Sequence, residues 1–409
     1  MSSTTRNKPT TTTKKKVVKY EIKKWETPIL YFISNNFKNF NEAKKIIYNV
    51  IEGIKNNSCI EFKKEDNEIK NKRGINFKNS DKCEIMKIGT NKEEKPQNIY
   101  LTDECVESKR TIRSLLFQTL GLLSPVLRRD KNAYVTINLK NVIINKRNIF
   151  SYEYLAINNY VDPYDFGSIT HYNSTMLSVD KTIKTIEPKG KYKEYYENMM
   201  GRIEEPSFYD YKTLNKYYCG EKCNKKECGE SKYNDPKNCS RCIGRINYNY
   251  LFDNGINYNL NKDCGYFKIY AEDQLKHIVK SKIAHCFYFI KTIFATGRVY
   301  IRFPSFRGAF IKKECSLENS IEIRYKNSFA APGIFLCYND DFEAPEFVSE
   351  SVTLRVIYHF KWYETYAHFE YKRIFDEEFK YEKLSKLERI PVLRNETIDQ
   401  IESVESGRI

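Results

Sequence analysis

Along the N-terminal third of the chain, hydrophobic positions switch between two periods. Ile29, Leu30, Tyr31, Phe32 and Ile33 form a short continuous apolar run, which predicts a buried strand. Ile46, Ile47, Val50, Ile51 and Ile54 then recur at helical spacing, with Asn41 as the expected N-cap. Short strands are predicted over 59–62, 74–77, 84–88 and 99–101. A second helix is predicted over 108–123. Ile112, Leu115, Leu116, Thr119 and Leu120 line one side of it, and Gly121 sits near its end as a terminator. The pattern turns irregular over 124–206, and a third helix over 209–218 leads into Cys219. Residues 220–260 are rich in Asn, Lys and Gly and poor in aliphatics, so cross-links are expected to hold them. From 264 to 373, segments 299–303, 321–325 and 352–358 alternate or are β-branched, which predicts a β-sandwich. No internal repeat is visible.

Composition narrows the class. With 409 residues the chain can hold two or three domains, and 32 Tyr and 25 Phe supply packed cores, which excludes wholesale disorder. The net charge is +16, and residues 1–24 carry eight Lys or Arg against one Glu. Without aromatic interleaving, that segment reads as a disordered basic arm and not a nucleic-acid-binding one, so no nucleic-acid partner is expected. The longest apolar stretch, 115–127, is broken by Gln118, Thr119 and Ser124. It is shorter than the ~20 residues a membrane span requires.

The twelve cysteines change the picture most, because nine fall between 219 and 337. A set of that size is expected in an oxidising compartment, so the chain reads as a secreted, disulfide-linked protein. This holds although residues 1–16 contain no apolar core of a signal peptide. The alternative is zinc at Cys239 and Cys242, with Cys223 and Cys228 at a spacing that fits a finger poorly. Histidines are scarce: His171, His277, His285, His359 and His368 are the full set. Clustered-imidazole chemistry in the first half is thereby excluded.

Three segments carry a family resemblance. The run from Asp162 to Tyr172 reads DPYDFGSITHY, and from Pro163 eight of ten positions agree with the Met-turn region of astacin zinc peptidases, PYDYGSIMHY. Phe166 and Thr170 are the departures, and Thr170 replaces the Met that names the turn. Thr185 to Lys189, TIEPK, resembles the family's TI-x-P-K. Arg128 to Asn138, RRDKNAYVTIN, is similar to R-x-D-R-D-x-Y-V-x-I-N. The resemblance implies an α+β fold: a two-lobed, metzincin-like domain with a mixed five-stranded sheet and long helices. It also implies a small disulfide-held EGF-like module and a β-sandwich CUB-like domain after it. The expected divisions are a basic arm at 1–24, an astacin-like domain at 25–219, an EGF-like module at 220–256, a CUB-like domain at 264–373 and a polar tail at 374–409. That order resembles nematode astacins.

The family binds zinc through H-E-x-x-H-x-x-G-x-x-H, with two ligands on one helix face and the Glu polarising the zinc-bound water. Aligned through Gly121, Arg128 and Asp130, the three ligand positions here hold Ser114, Gln118 and Ser124, and the general-base position holds Leu115. None of these repairs the chemistry, so neither a catalytic residue nor a bound zinc cofactor is expected. Pro125 stands where the family has a Glu that pairs with the mature N-terminus. Ser168, Ile169, Thr170, His171 and Tyr172 make up the Met-turn segment. The resemblance puts Tyr172 at the position that reaches zinc or the oxyanion, while a buried structural Tyr is the plainer reading. In place of metal, hydrogen bonding centred on Gln118 is expected, with Tyr172 as its partner.

The resemblance implies the disulfides Cys59–Cys219, Cys83–Cys105, Cys223–Cys239, Cys228–Cys242, Cys264–Cys286 and Cys315–Cys337. Candidate glycosylation sequons begin at Asn56, Asn173, Asn238 and Asn395. The leading expectation is a secreted pseudopeptidase that binds an extracellular protein or peptide. An active zinc metalloendopeptidase is the alternative, and a basic matrix protein acting through charge is a third reading. The sequence sets no oligomeric state.

Overall fold

The computed structural model describes residues 19–90, 93–151, 153–155, 162–223, 228–229, 232–244, 264, 268–281, 284–294, 296–307, 319–327, 331–336, 344–360 and 366–375. The first domain opens on β1 (Lys19–Glu21) and β2 (Ile29–Ile33). Helix α1 (Phe40–Asn57) follows, then β3 (Phe62–Lys64), β4 (Ile75–Asn79), β5 (Glu84–Ile85) and β6 (Gln97–Leu101). These five strands from β2 form a mixed sheet in the order β3-β2-β4-β6-β5, parallel except for β5. Ile46, Ile47, Val50, Ile51 and Ile54 of α1 are buried, as their 3.6-residue spacing predicts. The cap is Asn39, not Asn41: its side chain accepts from Glu42 N, so the helix is already running at Phe40.

Other boundaries also move for local reasons. The strand expected over 59–62 becomes Phe62–Lys64, because Cys59 is tied to Cys219 and its N–H points at that sulfur. The strand expected over 84–88 stops at Ile85, and the chain then turns through Gly89 at φ +74°. The basic arm expected to run to residue 24 is shorter at its inner end. β1 pairs in parallel with β8 (Glu153–Leu155), and Ile22 is buried.

Short α2 (Asp103–Glu107) precedes α3 (Lys109–Thr119), which packs with α1 into one core together with Ile75, Phe77 and Ile99 of the sheet. Past α3 lie β7 (Val135–Ile137) and β9 (Ile186–Pro188), which pair antiparallel, then α4 (Lys193–Met199) and α5 (Phe208–Cys219). The sequence pattern gave no sign of α4. At seven residues it is too brief to show a period, although Tyr196 and Met199 are buried.

Beyond α5, β10 (Lys232–Asp235) and β11 (Asn238–Gly244) form a hairpin. It is held by Cys223–Cys239 and Cys228–Cys242. The C-terminal part is two stacked sheets. One contains β12 (Lys268–Ala271), β14 (Ala284–Thr292), β16 (Asn319–Arg324), β17 (Ile334–Leu336) and β19 (Thr353–Phe360), in the order β12-β14-β19-β16-β17. The other contains β13 (Lys276–Ser281), β15 (Arg298–Arg307), β18 (Glu346–Val348) and β20 (Tyr366–Ile374), in the order β13-β20-β15-β18. Alternate residues such as Ile301, Phe303, Ile321, Ile323, Val356 and Phe369 fill the space between them.

Cys59–Cys219, Cys83–Cys105 and Cys264–Cys286 are also formed, and no free thiol occurs among the described residues. Cys315–Cys337, Asn395 and the tail from 376 lie outside the described residues. Asn56, Asn173 and Asn238 are exposed.

Cys59–Cys219 closes a separation of 160 residues, from the end of α1 to the end of α5. The paired change Cys59→Ala/Cys219→Ala is expected to cost about 2–5 kcal/mol. Urea unfolding followed by the fluorescence of buried Trp25 measures it.

Candidate functional site

Helix α3 is set by Ser108, whose hydroxyl accepts from Thr111 N at 3.1 Å. Its C-terminal carbonyls do not reach solvent unpaired. Trp25 Nε1 donates to Thr119 O at 2.8 Å, and Tyr218 Oη donates to Leu120 O at 2.7 Å. Gly121, at φ +102°, breaks the helix where a side chain would be strained, so the helix ends at Thr119 and not at 123.

The four positions at which the resemblance expects zinc chemistry, Ser114, Leu115, Gln118 and Ser124, lie on this helix and the turn after it. Gln118 is buried, and its Nε2 donates to Ser114 O and to Ser114 Oγ, each at 3.2 Å. Its amide thus serves its own helix, one turn back. The expected bond between Gln118 and Tyr172 is not among the contacts of the described residues. Leu115 packs against the core of the first domain. Ser124 is fully buried, and its Oγ has no partner among the described residues.

The 162–172 segment is organised from below by α5. Ser207 and Asp210 form a capping box at the start of that helix. The same Asp210 carboxylate accepts from Ser168 Oγ at 2.6 Å, from Ile169 N at 2.7 Å and from Ser207 N at 2.8 Å. Ser168 Oγ lies 3.1 Å from Thr170 Oγ1, and Thr170 Oγ1 donates to Leu123 O at 3.1 Å. A continuous polar chain therefore joins α5, the turn and the loop after α3. Burial and the neighbouring Asp165 push the Asp210 carboxyl up, to about 7, against the three donors that favour its anion.

His171 is buried. Its Nδ1 lies 2.7 Å from Tyr172 O, and a carbonyl can only accept, so Nδ1 carries the proton. Nε2 then accepts from Tyr164 Oη at 3.0 Å. Burial lowers the His171 pKa to about 4. Both ring nitrogens are used and the ring is neutral, so His171 is a structural residue. Tyr172 is partly buried against the core that includes Phe166 and Tyr196, and burial raises its pKa to about 12. Arg128 clamps Asp130 through two bonds of 2.8 and 2.7 Å, donates to Pro163 O at 3.3 Å and lies over the Tyr164 ring. The R-x-D motif thereby anchors the turn that presents residues 162–172.

The donor set does not fit a zinc ion. Two hydroxyls and one amide provide neither imidazole, thiolate nor carboxylate, and the amide is already engaged. Sequence reasoning missed Asp210 and Tyr164. The S-x-x-D at 207–210 signals a cap, but nothing local reports that the same carboxylate spans to residue 168.

The profile of the astacin peptidase family matches residues 17–219. Residues 17–219 form an astacin-like α+β domain. "Zinc metalloproteinase dpy-31" of Brugia malayi is 27% identical over 338 residues, covering 80% of this chain and 55% of its own length. The Caenorhabditis elegans protein of the same name is 28% identical over 236 residues, 57% of this chain and 38% of its own. The chain thus spans about half or less of these relatives. Among solved structures, high choriolytic enzyme 1, a hatching-enzyme zinc-protease of the medaka fish Oryzias latipes, aligns at 22% identity with a TM-score of 0.40. It covers 48% of this chain and 93% of its own.

Two outcomes follow for the astacin domain. Asp210→Ala orphans the Ile169 and Ser207 amides and is expected to cost about 3 kcal/mol in chemical denaturation. The second concerns pH. The folded pKa of His171 lies below its unfolded value of 6.5, so its contribution is present above 6.5 and lost as pH falls through about 4. That of Asp210 runs the other way, being present below 3.8 and lost as pH rises through about 7. Between 4 and 6.5 the two oppose each other, so a difference measurement separates them. Relative to wild type, His171→Gln should gain about 3 kcal/mol between pH 6.5 and pH 4.

Proposed function

We propose that this chain is a secreted, non-catalytic astacin homologue that binds an extracellular protein or peptide and does not cut it. The observation that carries this reading is the occupancy of the zinc and base positions: Ser114, Gln118, Ser124 and Leu115. Peptide hydrolysis at a metal centre needs a Lewis acid and a base to take the proton of the attacking water. A leucine cannot take that proton, and three neutral oxygen donors do not hold zinc at neutral pH. The bond from Gln118 to Ser114 supports the reading, because it occupies the space between two ligand positions. The disulfides support an extracellular location. The C-terminal sandwich, read as CUB-like, would supply a second surface for protein contact, and the hairpin at 232–244 would be the EGF-like module between the two domains.

The test is hydrolysis of casein, gelatin and a fluorogenic peptide library by the purified full chain with added zinc. No turnover above buffer is expected. Turnover that o-phenanthroline stops and that Tyr172→Phe reduces would overturn the proposal and establish a zinc endopeptidase. The converse change, Ser114→His, Leu115→Glu, Gln118→His and Ser124→His together, is expected to add a zinc equivalent to the chain. Proteolysis is not expected to return with it, because Pro125 and Thr170 still depart from the family pattern.

A further inference from the structure

A cluster of metal-ligating side chains lies far along the chain from the astacin domain, on the four-stranded sheet. β13 pairs antiparallel with β20, and His277 stands directly opposite Glu370. His368 is two residues before Glu370 on the same strand, so the pleat sets all three side chains on one face. Their ligand atoms lie within 4.8 Å of one another. On the next strand, β15, Arg302 stands opposite Glu370 in turn. Its Nε and Nη2 donate to Glu370 Oε2 at 3.1 and 2.7 Å. The other oxygen, Oε1, is left on the histidine side, 3.9 Å from His368 Nε2. The two imidazoles meet edge to face, with centroids 6.2 Å apart. Burial lowers the pKa of His368.

We propose that His277, His368 and Glu370 form a binding site for a divalent transition-metal ion of the zinc type. Two imidazoles and one carboxylate select zinc, copper or nickel over calcium and magnesium. Zinc bonds of about 2.0–2.2 Å place tetrahedral ligand atoms roughly 3.3 Å apart. The 3.9 Å pair is close to that spacing, and the exposed His277 ring can close the remainder by rotating about its own side-chain bonds. Arg302 holds the carboxylate in place by bonding its outer oxygen, as carboxylate ligands are commonly held. Three protein ligands leave a fourth position for water or an external donor group. An ion there ties β13, an edge strand, to β20.

The probe is zinc chloride, titrated by calorimetry into the chelator-stripped full chain, with cobalt absorption in parallel. One equivalent is expected, with the d–d bands of a low-coordinate nitrogen and oxygen site. His277→Ala, at an exposed position, should fold normally by circular dichroism and weaken binding by more than about tenfold. His277→Asp, which restores a ligand, should recover part of it. Two controls should keep the full equivalent: Gln118→Ala in the astacin domain, and His285→Ala, at the β14 position paired in register with His359 of β19. No binding by the wild-type chain, or equal binding by wild type and His277→Ala, would overturn the proposal. Binding lost with Gln118→Ala but kept with His277→Ala would place the ion in the astacin domain, and would overturn both this proposal and the non-catalytic reading.

Discussion

The buried carboxylate of Asp210 is the point through which the astacin domain is joined to itself. One side chain caps its own helix and, through Ser168 and Ile169, fixes the turn that presents residues 168–172. Thr170 passes that restraint on to Leu123 and hence to the loop after α3. In a low-dielectric interior each of these bonds is worth more than at the surface, and breaking one leaves its partner unpaired. The chain of contacts supplies between α5, the turn and α3 a connection that needs no ion. Ser124, which the resemblance sets at the third ligand position, offers only a buried hydroxyl beside it.

The 162–172 segment and the residues at α4 also carry the sandwich. Phe166, inside the 162–172 segment, stacks on Tyr196 of α4 at 4.2 Å between centroids. Tyr196 Oη lies 2.6 Å from Tyr325 Oη, and Val348 N donates to Tyr192 Oη at 2.9 Å. Tyr192 further meets Phe347 at 5.1 Å. Aromatic side chains combine area with a polar tip, so a few of them can seat one domain on another while satisfying each hydroxyl. Phe166, one of the two departures from the Met-turn pattern, thus stands at the start of an aromatic path into the β region.

Much of this was legible in the sequence, and the reasons differ by element. The α1 face was readable because burial on one side of a long helix forces a 3.6-residue period. The individual strands of the first domain and the two-sheet β region followed from short apolar runs and alternation, while the mixed five-stranded sheet came from what the family resemblance implies. The cap at Asn39 was misplaced by two residues because Asn39 and Asn41 are both competent caps, and only the bond to Glu42 N distinguishes them. Gln118 was expected to face Tyr172. It turns instead to Ser114, one turn away on its own helix, where the partner is supplied by local geometry and costs no tertiary ordering. Asp210 and the sheet cluster at His277 escaped notice because each acts across strands or helices distant in sequence, and Tyr164 because no pattern marks which tyrosine of the 162–172 segment bonds His171. Only register brings His277 opposite Glu370, over ninety residues away.

The central claim is that hydrogen bonds and packing, and not a metal, hold the astacin domain together. Thermal melting of the His277→Ala chain, with and without EDTA and o-phenanthroline, tests it directly, because that background removes the sheet cluster as a source of metal-dependent stability. The account predicts the same melting temperature in all three conditions. A fall of several degrees on chelation, reversed by added zinc, would contradict it.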